Sequence, residues 1–157
     1  MKKNILNIKY LYYLFLFLIA LSVINTNASD FRSVKRVVDG DTIVLENGER
    51  VRLIGVDTPE TVHPNKPVQY FGKEASAFTK NMVEGKKVKL EYDWQRKDRY
   101  GRTLAYVYLE DGTHLNAEII KQGFGFAYTK YPFKYLEEFR KYEKEARIGK
   151  KGLWAIK

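Results

Sequence analysis

The 157-residue sequence has no cysteine and only two histidines, His63 and His114. A disulfide framework, a thiolate nucleophile and a multi-histidine zinc site are thereby excluded, so any bound metal must rest on oxygen ligands. Proline is scarce, with 4 residues, and glycine modest, with 11, which excludes collagen-like and low-complexity architectures. No apolar run suits a multi-span membrane protein: the longest, residues 11–24, would cover roughly 20 Å as a helix, against about 30 Å of hydrocarbon core. Acidic residues are in the minority, with 19 Asp plus Glu against 28 Lys plus Arg and a net charge of +9. Such an excess suits a polyanionic partner, although plain solvation explains as many basic proteins. With 45% hydrophobic residues, what remains is one domain able to bury a core.

The N-terminus carries Lys2, Lys3 and Lys9 without an acid, then the apolar run, then the small polar stretch Asn25-Thr26-Asn27-Ala28. This is the tripartite pattern of a secretory signal. We expect cleavage after Ala28, with 1–28 a signal peptide and 29–157 the working domain. The competing reading is an uncleaved membrane anchor through residues 11–24. Either reading places the domain outside the cytosol, and the basic bias survives processing.

Phe31 to Val38, Thr42 to Glu46 and Arg50 to Val56 are rich in β-branched residues and punctuated by Asp39-Gly40 and Asn47-Gly48. They read as a three-stranded meander. A two-residue Asn-Gly turn would pair Glu46 with Glu49, Ile43 with Arg52 and Asp41 with Ile54, placing Asp41 and Arg52 on one face. Gly72 to Glu84 sets Ala75, Phe78 and Met82 at helical spacing and stops at Gly85. Lys86 to Tyr92 and Thr103 to Leu109 alternate as strands four and five. Asn116 to Gln122 reads as a short helix capped at both ends, and Tyr135 to Ile148 as a longer one. That last helix would bury Leu136 and Phe139 and pair Glu137 with Lys141 and Glu143 with Arg147. The fold class expected is α+β, mainly β: a five-stranded OB-type Greek-key barrel with about three packed helices. His63 to Gln69, with Pro64 and Pro67, reads as a loop near whatever site the barrel carries.

Three segments could carry chemistry. Asp39-Gly40-Asp41-Thr42 presents two carboxylates at a turn, which is also what a turn without metal looks like. In Arg52-Leu53-Ile54-Gly55-Val56-Asp57-Thr58-Pro59-Glu60 the acids follow where the chain leaves the sheet, Pro59 holding Thr58 extended. Asp57 lies three residues beyond the expected partner of Asp41, roughly 10 Å along the strand before side-chain reach is counted. A cation could bridge Asp41 and Asp57 with the Thr58 carbonyl as a further ligand, and Glu60 could hold a water. Carboxylates with carbonyl and water suit Ca²⁺, Mg²⁺ or Mn²⁺ rather than Zn²⁺. Alternatively, Arg52 pairs with one of these acids as a structural bridge. The third segment, Asp98-Arg99-Tyr100-Gly101-Arg102, is either a solvated basic loop or a phosphate grip in which Arg102 holds two oxygens at once. His63 and His114 read as surface or loop histidines, and Trp94 and Trp154 as packing residues.

Together the three segments resemble the staphylococcal nuclease family over roughly Ser33 to Trp154. The likeness is carried by Asp-Gly-Asp-Thr, Arg-x4-Asp-Thr-Pro-Glu and Asp-Arg-Tyr-Gly-Arg, in this order and spacing. Tyr70-Phe71-Gly72-Lys73-Glu74-Ala75-Ser76 and Leu104-Ala105-Tyr106-Val107-Tyr108 add to it. The resemblance implies that Asp41, Asp57 and the Thr58 carbonyl hold one Ca²⁺ ion. It implies Glu60 as the general base, with Arg52 and Arg102 gripping the phosphate. Arg99, Tyr100 and Tyr128 would bind substrate, with Lys97 and Arg96 on flanking phosphates. It further implies a monomeric endonuclease on DNA and RNA, preferring single-stranded or frayed substrate and leaving 3′-phosphate ends. The chain departs from the family pattern at Tyr128-Thr129-Lys130-Tyr131, where Lys130 replaces a second tyrosine, leaving Tyr131 or the cation to compensate. A binding module that does not cut would have lost acids or arginines, and this chain has lost none. A basic surface-adhesion protein is the remaining alternative.

Overall fold

β-Branched and aliphatic residues recur through residues 31–57, and there they build β1 (Phe31–Asp39), β2 (Thr42–Leu45), β3 (Arg50–Leu53) and β4 (Val56–Asp57). The computed structural model describes residues 30–61 and 67–155, together with Tyr13 and Phe15. The chain divides into two units, Met1–Asp30 and Phe31–Lys157, and the strands and helices that follow all belong to the second. The cleavage point at Ala28, the rest of the leader apart from those two residues, and His63 lie outside the described residues. Among the described residues, no helix is long and apolar enough to cross a membrane.

After β4 come α1 (Gly72–Val83), β5 (Lys87–Glu91), β6 (Thr103–Leu109), α2 (Leu115–Lys121), β7 (Phe126–Ala127), α3 (Leu136–Ile148) and a 3₁₀ turn at Gly152–Trp154. Five strands close a barrel in the order β1-β2-β3-β6-β5. Only the β3–β6 contact is parallel. Because β1 pairs with both β2 and β5, the barrel has no open edge. Val34, Ile43, Leu45, Val51, Leu53 and Val107 fill its interior at 0–1% exposure. This is the five-stranded α+β barrel with three helices that the strand and helix patterns predict.

The β2–β3 hairpin differs from expectation by one residue. Thr42 lies opposite Arg52 and Val44 opposite Arg50. The loop has three residues, Glu46-Asn47-Gly48, closed by Leu45 N–H to the Glu49 carbonyl at 2.9 Å, and of these only Gly48 takes a positive φ, of 84°. A one-residue slip inverts faces along a pleated strand. Asp41 nevertheless reaches Arg52, because it lies in the turn ahead of β2, off the pleat.

Arg50 to Val56 is not one strand. Gly55, at φ 72°, breaks it, and a Cβ there would lie 2.6 Å from the Phe133 ring. The chain therefore peels off the barrel, and β4 pairs with β7. Asn116 proves not to be a cap: α2 begins at Leu115 after His114. Its buried side chain donates to the carbonyls of Ile54 (2.9 Å) and Ala105 (3.2 Å) and accepts from Val107 N–H (2.9 Å). It thus satisfies the Ile54 carbonyl and Val107 N–H where β3 parts from β6, and adds a second donor to the Ala105 carbonyl, which also accepts from Ile54 N–H at 3.0 Å. On α1 the buried stripe is Gly72, Ala75, Thr79 and Val83, with Phe78 and Met82 packed at its margin. On α3, Phe139 is buried and Glu143 pairs with Arg147 at 2.6 Å as expected. Glu137 instead takes Arg140 at 2.8 Å, one position nearer than Lys141.

His114 is not a surface histidine. It stacks on Tyr108 (4.5 Å between centroids) and meets the rings of Tyr106, Tyr135 and Phe139. Its Nε2 is buried without a hydrogen-bond partner. Burial lowers its pKa from 6.5 to about 4, so between those values the unfolded chain binds a proton that the folded one refuses. Stability is therefore full above pH 6.5 and falls as the pH drops toward 4. Thermal melts from pH 7 to pH 4 should show this loss, and His114→Phe, with no proton to gain, should flatten the slope. An unchanged slope in the variant would remove His114 as its source.

Candidate active site

The turn between β1 and β2 holds Asp39, Gly40 and Asp41, all buried. Thr79 of α1 donates its hydroxyl to the Gly40 carbonyl at 2.6 Å, fastening the turn to the helix. Gly40 is required at this position for space: a Cβ would sit 2.7 Å from Thr58 Oγ1 and 2.9 Å from Thr58 Cβ. This close approach brings the segment after β4 against the turn. Asp41, 6% exposed, then accepts from the Thr42 hydroxyl (3.0 Å), Thr58 N–H (3.1 Å) and the Thr58 hydroxyl (3.2 Å).

Arg52, on β3, completes the cluster. Its Nη1 lies 2.6 Å from Asp41 Oδ2 and its Nη2 3.2 Å from Asp57 Oδ1, so one guanidinium spans both carboxylates. The structural bridge that the sequence allows is thus present, and it joins both acids rather than one. Asp57 opens to solvent through the groove described below. Its carboxyl is raised chiefly by desolvation and further by the Asp41 charge, with Arg52 pulling it down. Asp39 is pushed up to about 7, mainly by burial and then by Asp41, while Gly40 N–H opposes the shift and a hydrogen bond with Glu60 adds to it. Glu60 accepts from Thr61 N–H at 3.1 Å, and Thr61 donates its hydroxyl to Asp39 at 3.1 Å. Asp39 and Glu60 are therefore a carboxyl pair. The sequence motif displayed Asp39, but nothing in its spacing marked this partner.

Beside the cluster runs a groove of about 470 Å³. Arg52 and Asp57 line its floor, Arg99, Tyr100 and Arg102 one wall, and Tyr128, Lys130 and Tyr131 the other. Asp98 takes Arg102 Nε at 2.7 Å and also accepts from the backbone N–H groups of Tyr100 and Arg102, which sets the turn. Among the described residues, the two Nη groups of Arg102 carry no hydrogen bond and remain for a ligand. Arg99 donates to the Tyr100 hydroxyl at 2.6 Å and lies over its ring. Tyr128 N–H bonds the Gly55 carbonyl at 2.9 Å, fixing the second wall to the break between β3 and β4. Tyr131 enters the groove beside Tyr128, with Lys130 Nζ 5.7 Å from its ring centre.

Of the site residues expected from sequence, Arg52, Asp57, Arg99, Tyr100, Arg102 and Tyr128 share this groove, and Asp41 and Thr58 lie beside its floor. Glu60 does not line it; its carboxyl is engaged toward Asp39. The donors are oxygens throughout: Asp41 and Asp57 share the Arg52 guanidinium, and Asp39 and Glu60 lie behind Asp41. Such a set fits a hard divalent cation and no soft one. Among the described residues, no three His, Cys, Asp or Glu side chains form a metal-holding group, so two carboxylates with backbone oxygen and water are the set available. Trp94 is not a packing residue: it is 67% exposed on the groove rim. Trp154 does pack, under Arg147 and edge-on to Phe126.

Gly40→Ala should cost about 1–3 kcal/mol by forcing Thr58 away from Asp41. Urea unfolding of the variant checks this, and wild-type stability would show that the turn yields freely.

Comparison with known proteins agrees with this geometry. The family model described as staphylococcal nuclease homologue matches residues 50–156, a span that takes in Arg52, Asp57, Glu60 and Arg102. The thermonuclease of Staphylococcus hyicus is 48% identical over 136 residues, covering 83% of this chain and 79% of that protein. The thermonuclease of Staphylococcus intermedius is 50% identical over 125 residues, covering 77% and 74%. Endonuclease YncB of Bacillus subtilis (strain 168) is 43% identical over 129 residues, 78% of this chain and 61% of that protein. With its barrel, its acid–arginine cluster and these relatives in agreement, the chain belongs to the staphylococcal nuclease family and is a hydrolase of the nuclease type.

Proposed function

We propose that this protein is a secreted, Ca²⁺-dependent endonuclease that hydrolyses phosphodiester bonds of DNA and RNA and leaves 3′-phosphate ends. The observation that carries this reading is the Arg52 guanidinium held between Asp41 and Asp57 on the floor of a groove that Arg102 also lines. A phosphodiester is an anion, and a nucleophile approaches it only after its charge is offset. Asp41, Asp57 and the Thr58 carbonyl would hold Ca²⁺, which supplies Lewis-acid charge neutralisation at the phosphate when bound. Arg102, with Nε committed to Asp98, presents both Nη groups to two phosphate oxygens in a fork that lysine lacks. Arg52 grips the phosphate from the floor. Glu60, which lies behind the groove against Asp39, is the base this reading assigns to a water aligned for in-line attack on phosphorus, and in that role its carboxylate faces the water rather than Asp39. The bond to the 5′ oxygen breaks, that oxygen takes up a proton from solvent, and the phosphate stays on the 3′ end.

Phosphate contacts carry no base information, which supports action on both DNA and RNA. The exposed rings of Tyr128 and Tyr131 can stack only on unpaired bases, which supports a preference for single-stranded or frayed substrate. The leader pattern at residues 1–28 supports secretion, or anchoring through 11–24 if it is retained.

Glu60→Gln and Arg102→Lys should each lower kcat by at least about 10²-fold while melting like wild type, since neither side chain belongs to the barrel core. Initial rates on single-stranded DNA alongside melting curves check this; wild-type turnover in a variant would remove that residue's role. Cleavage should also require Ca²⁺, stop with EGTA and be absent in Asp41→Ala, with the new ends labelled as 3′-phosphates. Binding without cleavage across Ca²⁺, Mg²⁺ and Mn²⁺ in a folded sample would instead identify a nucleic-acid-binding module that does not cut.

A further inference from the structure

We propose that Trp94 is a base-stacking platform that extends the groove by one subsite, taking an unpaired base of single-stranded nucleic acid beside the nucleotide between Tyr100 and Tyr128. The inference rests on the nuclease reading and deepens it by assigning a substrate contact outside the phosphate-binding cluster. Exposed aromatic residues scattered singly call for no explanation, but Trp94 lines the same groove as Arg52 and Arg102. It is also held rigidly. Its Nε1 donates to the Pro132 carbonyl at 3.1 Å and its backbone N–H to Asp93 Oδ1 at 2.8 Å. Asp93 Oδ2 is in turn clasped by the hydroxyl of the fully buried Tyr106 (2.6 Å) and by Lys134 N–H (2.8 Å). The backbone of Trp94 is thus tied to the barrel through the Asp93 clasp and its indole to the Pro132 carbonyl, so little ordering entropy remains to be lost when a base lands on it.

Its faces are open as well. Among the described residues no ring or cation packs on Trp94, whereas Arg96 covers Tyr92, Arg99 covers Tyr100 and Arg147 covers Trp154. With the indole N–H consumed by Pro132, the ring can offer a base only its π face. Such contact tolerates any base and adds affinity without sequence preference. Charge in the groove favours a polyanion: Asp93 and Asp98 are engaged by protein donors, while Arg99 and Lys130 remain exposed.

The test uses the Glu60→Gln protein, which should bind substrate without cutting it, titrated with a thymidine tetranucleotide and with a thymidine mononucleotide and followed by tryptophan emission. The tetranucleotide should quench emission and the mononucleotide should not. Adding Trp94→Ala should abolish the quench and weaken tetranucleotide binding about tenfold, leaving mononucleotide affinity within about twofold; Trp94→Phe should restore most of the loss. Unchanged tetranucleotide affinity in Trp94→Ala, or equal losses for both ligands, overturns the subsite. Cleavage of single-stranded DNA by the wild-type protein is scored separately. Cutting without a Trp94 effect refutes the platform alone, and a Trp94-dependent quench without cutting refutes the nuclease reading alone.

Discussion

The buried carboxylate of Asp41 is the constraint around which the site is arranged. A carboxylate at 6% exposure carries a desolvation cost of several kcal/mol, offset only if donors surround it. Those donors come from three places in the chain: Thr42 at the start of β2, Arg52 on β3, and Thr58 just beyond β4. Satisfying one charge therefore forces the β1–β2 turn, the barrel wall and the departing strand into register. Arg52 cannot be removed without leaving two acids facing each other, and Gly40 cannot gain a side chain without pushing Thr58 out of reach. The residues that suit phosphodiester chemistry are thus also those that hold this corner of the fold.

That corner carries an excess of negative charge. Asp39, Asp41, Asp57 and Glu60 lie together with one guanidinium bridging two of them, and the cost is visible in the upward shifts of Asp39 and Asp57. A structure optimised for stability alone would replace such a cluster with apolar packing. Its presence at the margin of an otherwise apolar barrel is the pattern expected where stability is given up for function.

Much of this was legible in the sequence because it depends on local patterns. Alternating β-branched residues mark the five barrel strands, and helical spacing marks the three helices. The motifs from Asp39 to Arg102 bring Arg52, Asp57, Arg99, Tyr100 and Arg102 to one groove, with Asp41 and Thr58 beside it and Glu60 turned toward Asp39. What the sequence could not display depends on contacts between distant segments. The hairpin register turned on whether Asn47 or only Gly48 adopts a positive φ, a choice of one residue that composition does not settle. The break at Gly55 exists because Phe133, far along the chain, occupies the space a side chain would need. Asn116 looked like a cap because asparagine suits caps, and tertiary carbonyls claimed it instead. His114 and Trp94 exchanged their expected places, the histidine boxed by aromatic rings and the tryptophan left at the surface, because neither residue's neighbours lie next to it in sequence.

The groove holds two kinds of anchored side chain. Arg52 and Arg102 are aimed by carboxylates, which fixes the orientation of their donors. The aromatic residues are tied by backbone groups: Tyr128 to the Gly55 carbonyl, and Trp94 through Pro132 and Asp93 to the segment ahead of α3. Both kinds are therefore referenced to the same barrel, one through charge and the other through main-chain hydrogen bonds. A strand lying across them would meet phosphate contacts and stacking faces at spacings set by the fold. Phosphate oxygens and π faces carry no base identity, so contacts of these two kinds would be made without regard to sequence.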